Sequence, residues 1–120
     1  MPATPRVDLT IQQGASFAYN LTWRDGTGAI KALASGWTAR LQIRETIDSA
    51  STKASLTQAA GITLASTSPN VVIALTATET AALTFANDTA VYDLELVQTS
   101  SGTVYRLMGG KVTLSREVTR

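Results

Sequence analysis

The 120-residue chain contains no cysteine and no histidine. Without cysteine it can form no disulfide, no thiolate zinc site and no cysteine nucleophile. Without histidine it can hold neither a Ser-His-Asp triad nor an imidazole-bound metal. Ten Lys and Arg stand against nine Asp and Glu, a net charge of +1 that argues against a strong electrostatic hold on DNA or RNA. We therefore expect no enzyme and no nucleic-acid partner.

Long apolar runs are also missing from the sequence. None approaches the roughly 20 residues that a membrane helix needs, and residues 1–6 lack the apolar stretch of a signal peptide. We expect no membrane partner, no leader, and folding in the cytoplasm. A length of 120 residues fits one domain, in which residues 1–5 form an N-terminal arm.

What the chain does contain is small and β-branched residues, since Thr, Ala and Ser fill 47 of the 120 positions. Apolar and polar residues alternate with a period of two in most segments, which predicts strands. One short stretch near residues 78–84 predicts a helical turn, with Thr78 as its N-cap. The predicted strands cover residues 6–13, 15–24, 37–45, 53–58, 62–66, 71–76, 91–98, 103–108 and 111–118.

The segments 91–98 and 103–108 predict a hairpin with a well-specified register. In that register apolar residues face apolar residues and opposite charges face each other, and a slip of one residue destroys both matches. We expect Glu95 and Arg106 to form a solvated cross-strand ion pair worth less than about 1 kcal/mol. The expected pairs are Leu94 with Leu107, Leu96 with Tyr105, Val97 with Val104, and Glu95 with Arg106.

After this hairpin the apolar positions change parity, from odd numbers up to Leu107 to even numbers from Val112. Gly109 and Gly110 lie between the two sets. An extra residue in a β-bulge changes parity, and glycine tolerates such a bulge. We therefore predict a bulge or kink at the two glycines, followed by the last strand. The alternative is a flexible turn that makes a further hairpin.

Residues 88–92 resemble the corner before strand F of immunoglobulin-like domains. Asp88 can close an Asx-type turn, Ala90 leaves room for a crossing chain, and Tyr92 combines a buried ring with a polar tip. In that family the tyrosine hydroxyl bonds back to upstream backbone. The resemblance implies an all-β fold, an immunoglobulin-like antiparallel β-sandwich of about seven to nine strands.

The order of motifs along the whole chain resembles small structural proteins of phage virions, and is similar to the N-terminal sandwich of phage upper baseplate proteins. Those baseplate proteins open the domain with an acidic strand, where this chain has Gly14-Ala15-Ser16. They have a bend before the third strand, where this chain has Ala34-Ser35-Gly36. The motifs are residues 8–14, a strand with Trp23 before Asp25-Gly26, and residues 37–44, 75–81, 92–96, 106–112 and 117–120.

The resemblance implies a non-enzymatic structural module of a bacteriophage virion, most simply a tail, baseplate or fibre-attachment adaptor. It would lie in the virion, after assembly in a host cytoplasm. Its partners would be other virion proteins, and it would form a homo-oligomer or occupy the particle in several copies. A capsid cement or decoration protein is the first alternative. No cofactor, metal or catalytic residue is expected.

Two groups of side chains nevertheless invite a chemical interpretation. Asp93 and Glu95 share a strand face and could act as paired carboxylates or hold Ca²⁺, although a solvated face with Arg106 explains them more simply. Phe17, Tyr19 and Trp23 continue an apolar alternation and belong in the core. Trp37 follows a glycine at an edge, which leaves a glycan-binding adhesin as the second alternative.

We expect contact with neighbouring proteins at sheet edges, because an unpaired edge accepts a further strand. Residues 6–13 and 111–118 are the predicted edge strands. The valines opposite the Tyr92–Leu96 core face form either the second sandwich layer or an interface. The predicted contact residues are Val7, Leu9, Ile11, Trp37, Arg40, Arg44, Val97, Val104, Lys111 and Thr113, and the predicted structural residues are Asp88, Tyr92, Glu95, Arg106, Gly109 and Gly110.

Overall fold

Eight strands and very little helix form the regular part of the protein, as the alternating pattern predicts. The structure is a computed structural model that describes residues 5–119. It confirms the all-β class, whereas the predicted N-terminal arm lies outside the described residues except for Pro5. The strands are β1 Leu9–Gln12, β2 Phe17–Leu21, β3 Trp37–Arg44, β4 Ala54–Gln58, β5 Gly61–Leu64, β6 Val71–Leu75, β7 Thr89–Gln98 and β8 Thr103–Ser115.

The strands join in the order β1-β8-β7-β3-β4-β5-β6-β2, and the sheet is nearly closed in a sandwich-like arrangement. Strands β8, β7, β3 and β4 follow the order G-F-C-C′ of immunoglobulin-like domains, and β2, β6 and β5 follow B-E-D. Among the described residues, backbone pairing joins the half β1-β8-β7-β3-β4 to the half β5-β6-β2 only at two residue pairs between β4 and β5. That pairing and the pairing of β1 with β8 are parallel, so the sheet is mixed and not wholly antiparallel as predicted.

The core lies between the two halves of the sheet and takes every second residue of most strands. Burying one such Leu or Ile side chain contributes roughly 1.5–3 kcal/mol. The most deeply buried side chains include Ile11, Leu41, Ile43, Ile62, Val71, Ile73, Leu94, Leu96, Met108 and Val112.

The β7–β8 hairpin has the predicted register near its loop and a different one beyond it. Glu95 lies opposite Arg106 and Val97 opposite Val104, but Leu94 lies opposite Met108 and not Leu107. Leu107 is thus the extra residue of a bulge, two positions before the predicted glycines. The parity change is real, but β8 continues without a break through Ser115. Both the bulge at Gly109-Gly110 and the alternative hairpin are therefore wrong.

The two glycines allow the backbone of the N-terminal segment to pack closely against β8. A Cβ on Gly110 would lie 2.7 Å from the Val7 carbonyl oxygen and 2.7 Å from Asp8 Oδ1. The Val7 N–H donates to the Gly109 carbonyl at 2.9 Å, and the Gly109 N–H donates to the Pro5 carbonyl at 3.2 Å. Because backbone cannot yield as a side-chain tip can, residue 110 has to be glycine for this segment to lie where it does.

Helix α1, Ala77–Ala81, begins one residue earlier than predicted and is capped differently. Its N-cap is Thr76 and not Thr78, and Glu79 completes a capping box with Thr76. The hydroxyl of the buried Thr80 accepts the Gly14 N–H at 3.0 Å and donates to the Ala15 carbonyl at 2.8 Å. The helix thereby fixes the turn that leads into β2.

The corner before β7 differs in its hydrogen bonds from the predicted one. The Asp88 N–H donates to the Phe85 carbonyl, and its carboxylate lies 3.4 Å from Arg116 Nε without closing an Asx-type turn. Tyr92 is buried as predicted, but its hydroxyl donates to the Val7 carbonyl at 2.5 Å. The tyrosine therefore fastens the N-terminal segment across the sandwich and does not close the corner beside it.

Candidate contact surfaces

One face of the sheet half formed by β1, β8, β7, β3 and β4 points away from the core, and we call it the outer face. Strand alternation places on it every second residue of β3 and β7, and the bulge at Leu107 keeps β8 in step with them. Six of the ten predicted contact residues lie together on this face, although they come from separate segments of the sequence. They are Arg40, Arg44, Val97, Val104, Lys111 and Thr113.

The other four predicted contact residues lie elsewhere. Leu9 and Ile11 are buried, at 6% and 1% exposure, so their side chains belong to the core. Val7 is half-buried and its carbonyl is taken by Tyr92. Trp37 is half-buried at one end of the sandwich. Strand β8 lies between β1 and β7, so it is no edge, and the two edges of the sheet are β1 and β2.

Ion pairs cross the outer face, but Glu95 takes a different partner from the predicted one. Arg40 Nε lies 2.8 Å from Glu95 Oε1, whereas Arg106 Nε lies 3.6 Å from Asp93 Oδ2. Glu95 is in register with an arginine on each neighbouring strand, and Arg40 on β3 engages it. The predicted Glu95–Arg106 pair is therefore wrong. Both carboxylates proposed for acid–base work thus carry an arginine of their own.

A concavity of about 780 Å³ opens on the outer face where Gly109 contributes no side chain. Arg6, Arg44, Arg106 and Lys111 supply its cations. Ile47, 85% exposed, lies at its rim. Arg44 is held in place by hydrogen bonds to the Ser49 carbonyl and to Gln42 Oε1. The carboxylates of Glu45, Asp93 and Glu95 line it as well, so the concavity presents charges of both signs beside an exposed apolar side chain. Among residues 5–119 no group of three or more acidic side chains is arranged to hold a metal ion.

A second surface is an aromatic cluster at the end of the sandwich, formed by Trp23, Trp37 and Tyr105. The ring centroids of Trp23 and Trp37 are 5.4 Å apart at 86°, and Tyr105 lies 5.4 Å from Trp23 and 5.7 Å from Trp37. Lys31 Nζ lies 4.7 Å from the Trp23 ring centroid and 5.5 Å from that of Trp37. Such cation–π contacts contribute about 0.5–1 kcal/mol each when exposed. Tyr105 remains 37% exposed, so part of the cluster faces solvent.

Asn70 positions this cluster, although it is not among the structural residues predicted from the sequence. It is fully buried; its Oδ1 accepts the Trp23 N–H at 2.8 Å. Its Nδ2 donates to the carbonyls of Trp23 and Lys31 at 2.9 and 3.0 Å. The one signal was an amide side chain placed directly before the apolar run of β6.

The N-terminal segment is fixed by side chains as well as by strand pairing. Asp8 Oδ1 accepts the Lys111 N–H at 3.0 Å and the Arg6 Nε–H at 3.1 Å. The bond from the Lys111 backbone lowers the pKa of Asp8. Burial raises the pKa of Tyr92, whose hydroxyl therefore stays protonated and donates to Val7. Neutral donor and ionised acceptor thus hold neighbouring residues of the same segment.

Comparisons with known proteins add no assignment to this geometry. The chain matches no protein-family model, and no curated protein is significantly similar to it in sequence. None of the helices within residues 5–119 is long and apolar enough to span a bilayer.

Proposed function

We propose that the chain is a non-enzymatic structural module of a bacteriophage virion, in the class of tail, baseplate or fibre-attachment adaptors. The proposal rests mainly on the outer face, where arginines held by neighbouring groups, an exposed valine and a concavity form one surface. The order of sequence motifs, which resembles that of small virion proteins, supports the setting.

The chemistry of the outer face suits contact with another protein. Val104 is 46% exposed beside the half-buried Val97, and such apolar side chains gain free energy when a neighbour covers them. Arginine is enriched in protein interfaces because its guanidinium can bind carboxylates through two parallel hydrogen bonds. Arg40 and Arg44 are already held by neighbours, which reduces the side-chain entropy lost on binding.

Quantitative mass spectrometry of purified particles tests the setting. A copy number that is a small multiple of three or six supports the tail or baseplate, and hundreds of copies would favour capsid cement instead. Absence of the chain from particles contradicts both.

A matched pair of variants tests the surface. Val104→Lys places a charge on the outer face, and we expect incorporation into particles to fall about tenfold or more. Ala74→Lys places the same charge on an exposed position of β6 in the other sheet half. It should be incorporated at the wild-type level, and an equal loss in both variants would contradict a role for the outer face.

One observation favours a second candidate, a glycan-binding adhesin. The aromatic cluster presents Trp and Tyr rings at one end of the sandwich, and such rings stack against the apolar faces of sugars. Specific signals on a glycan array that disappear with Trp37→Ala and persist with Trp37→Phe would support it. An array without specific signals contradicts it.

A further inference from the structure

Strand β2 is an open edge of the sheet. Among the described residues, the backbone of Phe17–Leu21 bonds only to β6. The five residues include no charge and no proline, which are the devices that usually protect an edge from further pairing. A row of unpaired backbone donors and acceptors is therefore available to another extended segment.

The side chains of β2 indicate what such a segment must carry. Phe17, Tyr19 and Leu21 point inward but are only half-buried. Their partners on β6 are Leu75, Ile73 and Val71, all at most 5% exposed. The inward row on β2 is thus incompletely covered at the side where no strand follows. A segment that covers it needs apolar side chains at alternate positions and no charge.

We propose that the occupant is β2 of a second copy, paired antiparallel across a two-fold axis at Tyr19. In this register Phe17 of one copy faces Leu21 of the other, so both inward apolar rows become continuous. Ala18 faces Asn20 on the exposed side. A two-fold axis makes the same surface serve both copies, so β2 supplies the complement that it requires. The inference goes beyond the proposed function, because it holds whether or not the chain belongs to a virion.

Charge places no obstacle in this register. The nearest charged residue after β2 is Arg24, and it would face Gly14 of the second copy. No residue from Gly14 to Thr22 is charged, so no like charges face each other along the new pairing. The net charge of +1 per chain adds little repulsion between copies.

Sedimentation velocity on the full chain tests the proposal. We expect a monomer–dimer equilibrium from micromolar to near-millimolar concentration. Ala18→Lys/Asn20→Lys places lysines against each other across the axis and should weaken dimerisation about tenfold or more. The control Thr10→Lys/Gln12→Lys adds the same charge at exposed positions of β1 and should dimerise like the wild type. A wild-type chain that stays monomeric throughout, or equal weakening in both variants, would overturn the proposal.

A second measurement tests the register without depending on the lysine variants. The chain has no cysteine, so Ala18→Cys and Asn20→Cys each introduce a single thiol. Directly opposed residues bring their Cβ atoms to about 4.5–5.5 Å, close to disulfide geometry, and diagonal residues stay farther apart. Oxidation of the mixture should yield several-fold more cross-linked dimer than oxidation of either variant alone. Equal yields in all three samples would exclude this register.

Discussion

The two edge strands of the sheet, β1 and β2, are fixed by different kinds of side-chain contact. The residues just before β1 are fastened to the neighbouring strands: Tyr92 donates to the Val7 carbonyl, Asp8 accepts the Lys111 N–H, and Gly110 lets the two backbones approach. Strand β2 is instead fastened beyond its two ends. Thr80 holds the turn before it, and Asn70 holds Trp23 after it.

The comparison shows that the interactions that order an edge strand differ from the features that prevent it from pairing with a further strand. Polar side chains fix the residues that lead into β1, and Arg6 and Asp8 place charges at this end of the strand. The ties of β2 leave its central residues uncharged and unpaired on one side. A strand can therefore be well ordered and still remain available for pairing, because pairing with β6 and the ties beyond its ends order β2, while its other side has no strand partner.

Asn70→Ala should give the largest loss of stability, since it removes the tie at the end of β2. The Trp23 N–H and the Lys31 carbonyl would lose their partner in a buried site, and the Trp23 carbonyl would keep only the Lys31 N–H. We expect a loss of about 3 kcal/mol in the free energy of unfolding, measured by urea denaturation, together with a change in tryptophan fluorescence. Asn20→Ala, at an exposed position of β2, should stay within about 0.5 kcal/mol of the wild type. Comparable losses in both variants would contradict a specific stabilising role for the Asn70 hydrogen bonds.

Gly110→Ala should give the next largest effect, on the other edge. The new methyl group would meet the Val7 carbonyl and Asp8 at 2.7 Å, and the backbone must move to relieve the contact. We expect a loss of about 1–3 kcal/mol and faster hydrogen exchange of the Val7 amide. Gly26→Ala, which adds a methyl group in open space, serves as the control. An unchanged Val7 exchange rate would mean that the close approach does not fix the segment.

Tyr92→Phe and Tyr19→Phe compare the two edges with the same chemical change. Loss of the Tyr92 hydroxyl leaves the part-buried Val7 carbonyl without its donor, at a cost of about 1–2 kcal/mol. The Tyr19 hydroxyl makes no hydrogen bond among the described residues, so its removal should change stability by less than about 0.5 kcal/mol. Thermal unfolding of the two variants checks the difference, and the reverse order would break the comparison between edges.

The smallest effect concerns pH, because it rests on an exposed carboxylate. The folded pKa of Asp8 lies below its ordinary value of 3.8, so its ionised form stabilises the fold above that pH. This stabilisation is lost as the pH falls through the lowered pKa and the carboxylate becomes protonated. The difference in Tm between the wild type and Asp8→Asn should therefore be greatest at neutral pH and shrink below pH 3.8. A difference that grows on acidification would contradict the assigned bond to Lys111.

Local patterns predicted much of this fold, because alternation and turn residues act over a few positions. The segments predicted for β3, β4, β6 and β7 differ from the observed strands by two residues or fewer at each end. The parallel pairing of β1 with β8 could not be predicted that way, because it joins residues about a hundred positions apart, such as Leu9 and Val112. Gly110 shows the same limit: its spacing suggested a bulge, whereas a distant segment requires the glycine.

Candidate surface residues could be predicted in part for a similar reason. Strand parity groups Arg40 with Arg44 and Val97 with Val104, and the pairing of β3 with β7 brings both groups to one face. The predicted partner of Glu95 was wrong because the prediction considered only the β7–β8 hairpin, whereas Arg40 lies on β3. The role of Asn70 could not be predicted, because burial of a single amide depends on the loop that folds over it.

The pairing of β1 with β8 also orders events during biosynthesis. A ribosome delivers residues 9–12 long before residues 112–115, so β1 emerges without the strand that it joins. Closing a loop of about one hundred residues has an entropic cost that grows only slowly with length, but the closure must wait for the last strand to leave the exit tunnel. Until then Leu9 and Ile11 lack Val112 and Leu114, the β8 residues beside which they lie in the folded sheet.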